Sequence, residues 1–246
     1  MAGLADLRSQ LTTSVAFLTR LPIRLETPLP LAAAVPGFPL VGALVGGIAA
    51  VVLSGAIWLG LPPLPAALLA IGASIAATGA LHEDGLADSA DGLFSGRPRE
   101  RVLEIMRDSR IGTFGALALI LSVGLRAGSL ATLADGAAAL IAVHALSRGW
   151  LPWLMWQDNP ARSDGLAVHA GKPVQANVFW AAGFGLAIAV IAIGILPALL
   201  TAAVSAGFAL AVAALARRRL GGYTGDTLGA AQQVAEIGAL LALTTI

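Results

Sequence analysis

The chain has 246 residues, 57% of them hydrophobic and 12% charged, where an ordinary soluble domain carries about 25% charged residues. With a mean hydropathy of +0.84, it falls in the membrane class before any local reading. A net charge of +1 with no block of like charge excludes a nucleic-acid-binding arm, and the lack of cysteine excludes a disulfide framework and a Cys-based metal or redox centre.

In chain order, residues 1–30 read as a short amphipathic helix ended by Pro22. Arg8, Gln10 and Arg20 argue for a surface-lying or re-entrant segment rather than a span. Polar residues within the first twenty positions leave no compact apolar core, so no cleavable signal peptide is expected. Apolar stretches of spanning length follow at about 38–60, 62–81, 112–131, 136–156, 176–195, 198–216 and 228–246, a helix needing about 20 residues to cross. The expected fold is therefore all-α: a single integral membrane domain over 1–246, a polytopic bundle of about seven spans. Runs of small residues such as "GALVGG" at 42–47 suit close helix packing in lipid.

Charge orients the bundle. If residues 1–37 are cytoplasmic, so are the polar segments 82–111, 157–175 and 217–227, and all but Arg126 of the 15 Lys and Arg residues lie on or near that side. Every polar segment of any length then shares one face of the membrane, which is where chemistry is expected.

The first of these segments opens with "LHEDGLADSADGLFSG" (81–96). As a helix, it sets Asp84, Asp88 and Asp91 at i, i+4 and i+7 on one narrow face, at about 100° per residue. Stacked carboxylates repel, and Gly85 and Gly92 weaken the helix further, so local propensity does not favour the arrangement and a cation must offset it. Mg²⁺ takes one or two carboxylates and completes its shell with water and phosphate oxygens; Mn²⁺ would serve the same way. On a regular helix His82 and Glu83 point away from the aspartates. The plain alternative is a solvated acidic loop paired with the arginines downstream.

Next, "RPRERVLEIMRDSRIGTFG" (97–115) reads as a helix of about three turns bracketed by Pro98 and Gly112. Arg107, Asp108, Ser109 and Arg110 crowd its end. Guanidinium groups suit bidentate phosphate contact, so these four are expected to bind a phosphorylated substrate; the bland role for the arginines is juxtamembrane anchoring. Trp150, Trp153 and Trp156 read as interfacial aromatics, with Arg148 snorkelling or reaching phosphate, and Arg162 and Asp164 are placed near the same site. Finally, "GGYTGDTLGAAQQVAE" (221–236) supplies Thr224 for substrate and Asp226 as a helix cap or a proton acceptor. Glu236 lies inside the last apolar stretch, and a carboxylate there is costly and by default functional; it would contact substrate or tie helices together.

Together, "HEDGLADSADG" (82–92), "IMRDSRIGTFG" (105–115) and "GGYTGDTLGA" (221–230), with "FLTRLPI" (17–23), resemble the cobalamin synthase family, also called adenosylcobinamide-GDP ribazoletransferase or cobalamin-5′-phosphate synthase. The resemblance runs nearly the whole chain, in order. It implies a multi-pass enzyme of the prokaryotic inner membrane with its site facing the cytoplasm. That enzyme joins adenosylcobinamide-GDP to α-ribazole or its 5′-phosphate and releases GMP. It also implies Mg²⁺, for which Asp84, Asp88 and Asp91 are the expected ligands, with His82, Glu83 and Asp226 as candidate proton acceptors. Oligomeric state stays open, a homo-oligomer included. Two rivals remain. A CDP-alcohol phosphotransferase also uses helically spaced aspartates, but here Asp84-Gly85 lacks the following Ala-Arg. An ion-coupled transporter would hold its acids at mid-membrane.

Overall fold

The computed structural model describes residues 4–23 and 29–246; part of the expected N-terminal segment 1–30 therefore lies outside the described residues. Helix α1 (Leu4–Leu18) is followed by α2 (Leu31–Ala34), which runs through a 3-10 turn into α3 (Phe38–Trp58). Then come α4 (Pro63–Thr78), α5 (Leu81–Leu93), α6 (Arg99–Ile105), α7 (Thr113–Leu130), α8 (Gly136–Gly149), α9 (Leu151–Gln157), α10 (Leu166–Ala170), α11 (Gln175–Ile193), α12 (Ile195–Leu220) and α13 (Gly225–Leu243). The fold is all-α, as expected, and polytopic.

By length and composition alone, the structure bears out several spans rather than the full count of about seven. Among the described residues four helices are long and apolar enough to cross a membrane alone, or five if the bent pair α4–α5 is one span. The other expected spans fall short for specific reasons: α8 has 14 residues, and α13 carries Gln232, Gln233 and Glu236 in its middle. The acidic segment is helical but does not continue the preceding span. Gly79 and Ala80 both take left-handed backbone angles, φ 65° and 59°, and Ala80 N–H donates back to Ile75 O at 2.9 Å, a helix-terminating pattern. The chain leaves at 92° as α5. The expected three-turn helix after Pro98 also proves shorter: α6 stops at Ile105 and residues 106–112 form a loop.

Small residues let the helices close on one another. A Cβ at Gly46 would lie 2.5 Å from Leu140 O, so α3 and α8 pack backbone to backbone, as the "GALVGG" run suggests. Helix α13 is the hub, packed against α5, α7, α8 and α12. Helix α1, at 15 residues, is too short to cross. It docks instead through Val15 and Leu18 onto Val35, Phe38 and Val41, and Ser14 Oγ donates to Ala34 O at 2.7 Å.

The three polar segments meet at one end of the bundle. Ala161 N–H donates to Tyr223 O at 2.7 Å and Tyr223 N–H to Asn159 O at 3.1 Å. Arg99 donates to Leu220 O at 2.7 Å and to Ala161 O at 2.5 Å. Arg217 grips Asp158 with two hydrogen bonds of 2.8 and 2.9 Å.

Candidate active site

Helix α5 runs along α13, and Gly85 permits the approach: a Cβ there would sit 2.7 Å from Asp226 O and 3.2 Å from Gly229 Cα. The glycine that weakens α5 as an isolated helix is what brings Asp226 to the aspartate face. Asp88 lies within electrostatic reach of Asp84, Asp226 and Asp91, with Arg162 the cation nearby. Arg162 Nη2 is 3.7 Å from Asp226 Oδ2. Thr224 caps α13 through a reciprocal pair of hydrogen bonds with Thr227 and also donates to Asp226 at 3.2 Å. The cap is thus Thr224, and Asp226 is left facing the aspartates.

The three aspartates of α5 do not share one environment. Asp84 is exposed and Asp88 half-buried. Asp91 is committed: Oδ2 accepts from Gly112 N–H at 2.7 Å and Oδ1 from Gly115 N–H at 2.9 Å. It therefore satisfies two of the unpaired donors at the start of α7. Among the described residues no three His, Cys, Asp or Glu side chains converge closely enough to hold an ion between them. The donor set suits a hard cation that takes two carboxylates and fills its shell with water and phosphate oxygens. It does not suit a closed cage of protein ligands.

The arginines expected at phosphate are present at this end, each with an acid. Arg107 pairs with Asp164 at 2.5 Å. Arg110 holds Asp108 through its side chain at 2.6 Å and its backbone N–H at 3.1 Å; these bonds hold the Asp108 carboxyl down at about 2. Ser109 is exposed beside them.

Glu83 and Glu236 point elsewhere, into a polar network buried among α5, α7, α8 and α13. Arg126 donates to Glu83 and to Glu236, both at 3.2 Å. Gln233 links Glu83 at 3.1 Å to Gln232 at 2.8 Å, and Gln232 donates to Glu236 at 2.6 Å. His144 Nδ1 lies 3.2 Å from Glu236 and 2.9 Å from Arg148 Nη1. Arg126 and Arg148 are each 1% exposed, so Arg148 neither snorkels nor reaches the aspartates. His82 is buried between the two regions: its Nδ1 has no hydrogen-bond partner among the described residues, and its ring lines an apolar cavity of about 220 Å³. Phe17, Phe38, Leu151 and Met155 form walls of that cavity, with Asp84 and Asp226 on its polar side.

The chain matches the cobalamin-5-phosphate synthase family over residues 10–244. It belongs to that family. It is also similar, over nearly its full length, to curated proteins named adenosylcobinamide-GDP ribazoletransferase. The Rhizobium johnstonii protein is 46% identical over 94% of this chain and 95% of its own. The Bradyrhizobium diazoefficiens protein is 46% identical over 97% and 92%, and the Brucella anthropi protein 43% identical over 94% of each. No solved structure matches the chain.

In this member of the cobalamin-5-phosphate synthase family the acidic residues expected at the site separate into two groups. Asp84, Asp88 and Asp226 gather at the polar end with Arg162, while Glu83 and Glu236 belong to the buried network. Of the two roles expected for Glu236, tying helices together is the one seen, but its partners in that network were not foreseen from the sequence. The signal was available: an arginine inside one apolar stretch (Arg126) and an acid inside another (Glu236) are each costly alone, and pairing relieves both.

Proposed function

We propose that this protein joins adenosylcobinamide-GDP to α-ribazole or its 5′-phosphate, giving adenosylcobalamin or its 5′-phosphate, and GMP. The observation that carries this is its near-full-length likeness, at 46% identity, to proteins named for that reaction. The clustered carboxylates beside arginines support it, because transfer between phosphate esters needs charge neutralised at the diphosphate.

The ribose 3′-hydroxyl oxygen of the ribazole attacks the phosphorus bonded to the cobinamide arm. The new O–P bond forms as the bond from that phosphorus to the bridging oxygen breaks, and GMP departs with the electron pair. Asp226, on the cavity side and next to Asp84, accepts the hydroxyl proton. Arg162, Arg107 and Arg110 are the cations within reach of a diphosphate, the last two by exchanging Asp164 and Asp108 for phosphate oxygens. Mg²⁺, or Mn²⁺, would be held by Asp84 and Asp88 and would neutralise diphosphate charge and assist the leaving group. Asp91 would act through the α7 cap rather than as a full ligand.

The same reading has α3, α4–α5, α7, α8–α9, α11, α12 and α13 as seven passages of an inner membrane, the polar end cytoplasmic; the placement of Lys and Arg supports that orientation. The test is reconstitution in vesicles with adenosylcobinamide-GDP and α-ribazole. GMP release that needs both substrates and a divalent cation is expected. CMP release from a CDP-alcohol with no turnover of adenosylcobinamide-GDP would overturn the reading.

A further inference from the structure

The apolar cavity of about 220 Å³ beside Asp84 and Asp226 is not needed to hold a diphosphate. We propose that it lodges the aromatic base of the ribazole, so that the ribose emerges at the carboxylates. This rests on the ribazoletransferase reading above. The size admits a bicyclic aromatic ring system and is far too small for a corrin macrocycle. The chemistry of the walls separates the other candidates. Phe17 and Phe38, stacked with ring planes 12° apart, and Leu151 and Met155 offer aromatic and aliphatic surface and no ring of donors. The guanine of the GDP moiety carries polar atoms on every edge, and only His82, Asp84 and Asp226 could meet them; seated in this cavity it would bury the rest against apolar wall, a cost of several kcal/mol. The benzimidazole of ribazole has little to leave unsatisfied. A lipid tail would suit the walls, but the polar side of the cavity carries Asp84 and Asp226. An occupant apolar at one end and hydroxylated at the other fits both. The ribose of a nucleoside seated base-first is then next to Asp226, where its hydroxyl must lose a proton.

The experiment is equilibrium dialysis of labelled α-ribazole against the detergent-solubilised full chain. It compares wild type, Met155→Trp, Ala167→Leu as a milder filling of the same space, and Asp88→Asn; monodisperse elution of each variant reports folding. Wild type should bind α-ribazole at least about tenfold more tightly than guanosine. The two filling substitutions should weaken ribazole by about tenfold or more, the range for steric change in an apolar pocket, and Asp88→Asn should leave it within about twofold. Equal ribazole binding by wild type and both filling variants, tighter binding of guanosine, or displacement of ribazole by a fatty acid but not by free benzimidazole would overturn the assignment. Ribazole binding in the expected pattern without GMP release on adding adenosylcobinamide-GDP supports the cavity assignment while removing the reaction.

Discussion

Glu83 and Asp84 are neighbours in the chain and face different sides of α5. Glu83 is buried, 3.2 Å from Arg126 and bonded to Gln233, whereas Asp84 is exposed and lines the apolar cavity with Asp226. The 100° step between successive helical residues thus divides one acidic run into a structural anchor and a chemical face.

Asp84→Ala should lower GMP release by at least about a hundredfold, the scale of losing a charge-stabilising group at a phosphoryl centre. Raising Mg²⁺ should recover part of the loss if Asp88 still holds the ion. Membrane insertion and thermal stability should stay near wild type, because Asp84 is exposed. Activity within a few-fold of wild type at ordinary Mg²⁺ would remove Asp84 from the site.

Arg126→Met should have the opposite signature. It leaves Glu83 and Glu236 buried without a cation they now meet at 3.2 Å, and breaking a buried pair from one side costs about 3–5 kcal/mol. The expected readout is loss of folded protein in detergent. Adding Glu83→Gln should restore at least about 1 kcal/mol, the scale of coupling between residues in contact. A double variant no more stable than Arg126→Met would show that the pair is not coupled.

How far the sequence could lead follows from these residues. The aspartate spacing, the packing by small residues and the convergence of three polar segments are all legible, because helical period and charge bias act locally. The 92° break before α5 is not, since it depends on Ala80 taking a left-handed angle that alanine rarely adopts. Nor is Asp91's partner, because Gly112 and Gly115 are more than twenty residues away and only the tertiary fold brings their N–H groups to it. The α5–α13 contact was hidden for a related reason: Gly85 reads as a helix weakener until the facing backbone is seen.

Asp91→Ala should therefore behave unlike Asp84→Ala. It removes the acceptor for two backbone N–H groups at the start of α7, which costs about 1–2 kcal/mol at a helix cap. A fall in thermal stability is expected, with the Mg²⁺ concentration for half-maximal activity close to that of wild type. Unchanged stability with a large rise in that concentration would make Asp91 a metal ligand after all.

Asp108 bears on the pH profile. Its carboxyl is held at about 2 by Arg110, below the ordinary carboxylate range of about 4. A depressed carboxyl contributes stability that is present above its unfolded value and lost as pH falls through the folded one, here between about 4 and 2. The pair should add no slope between pH 5 and 9. Asp108→Asn should leave the shape of the GMP-release profile in that window unchanged; loss of an acid limb there would show that Asp108 titrates in the reaction.

Gly85→Ala tests whether the contact of α5 with α13 is what assembles the site. The added methyl would sit 2.7 Å from Asp226 O, a backbone atom that cannot rotate away, so the helices must separate by several tenths of an ångström. Overpacking of this kind costs about 1–3 kcal/mol, and here it falls where α5 meets the backbone of Asp226 and Gly229 at the start of α13. Alanine favours the helix by about 1 kcal/mol over glycine, so net stability should fall by no more than about 2 kcal/mol while kcat falls by roughly tenfold or more, the penalty for misplacing reacting groups by part of an ångström. Gly124→Ala is the control: a Cβ there meets nothing within 4 Å, and the same propensity gain should come with full activity. If Gly85→Ala kept wild-type kcat, the closeness of α5 and α13 would be a packing feature alone, and Asp226 would lose its place as the proton acceptor.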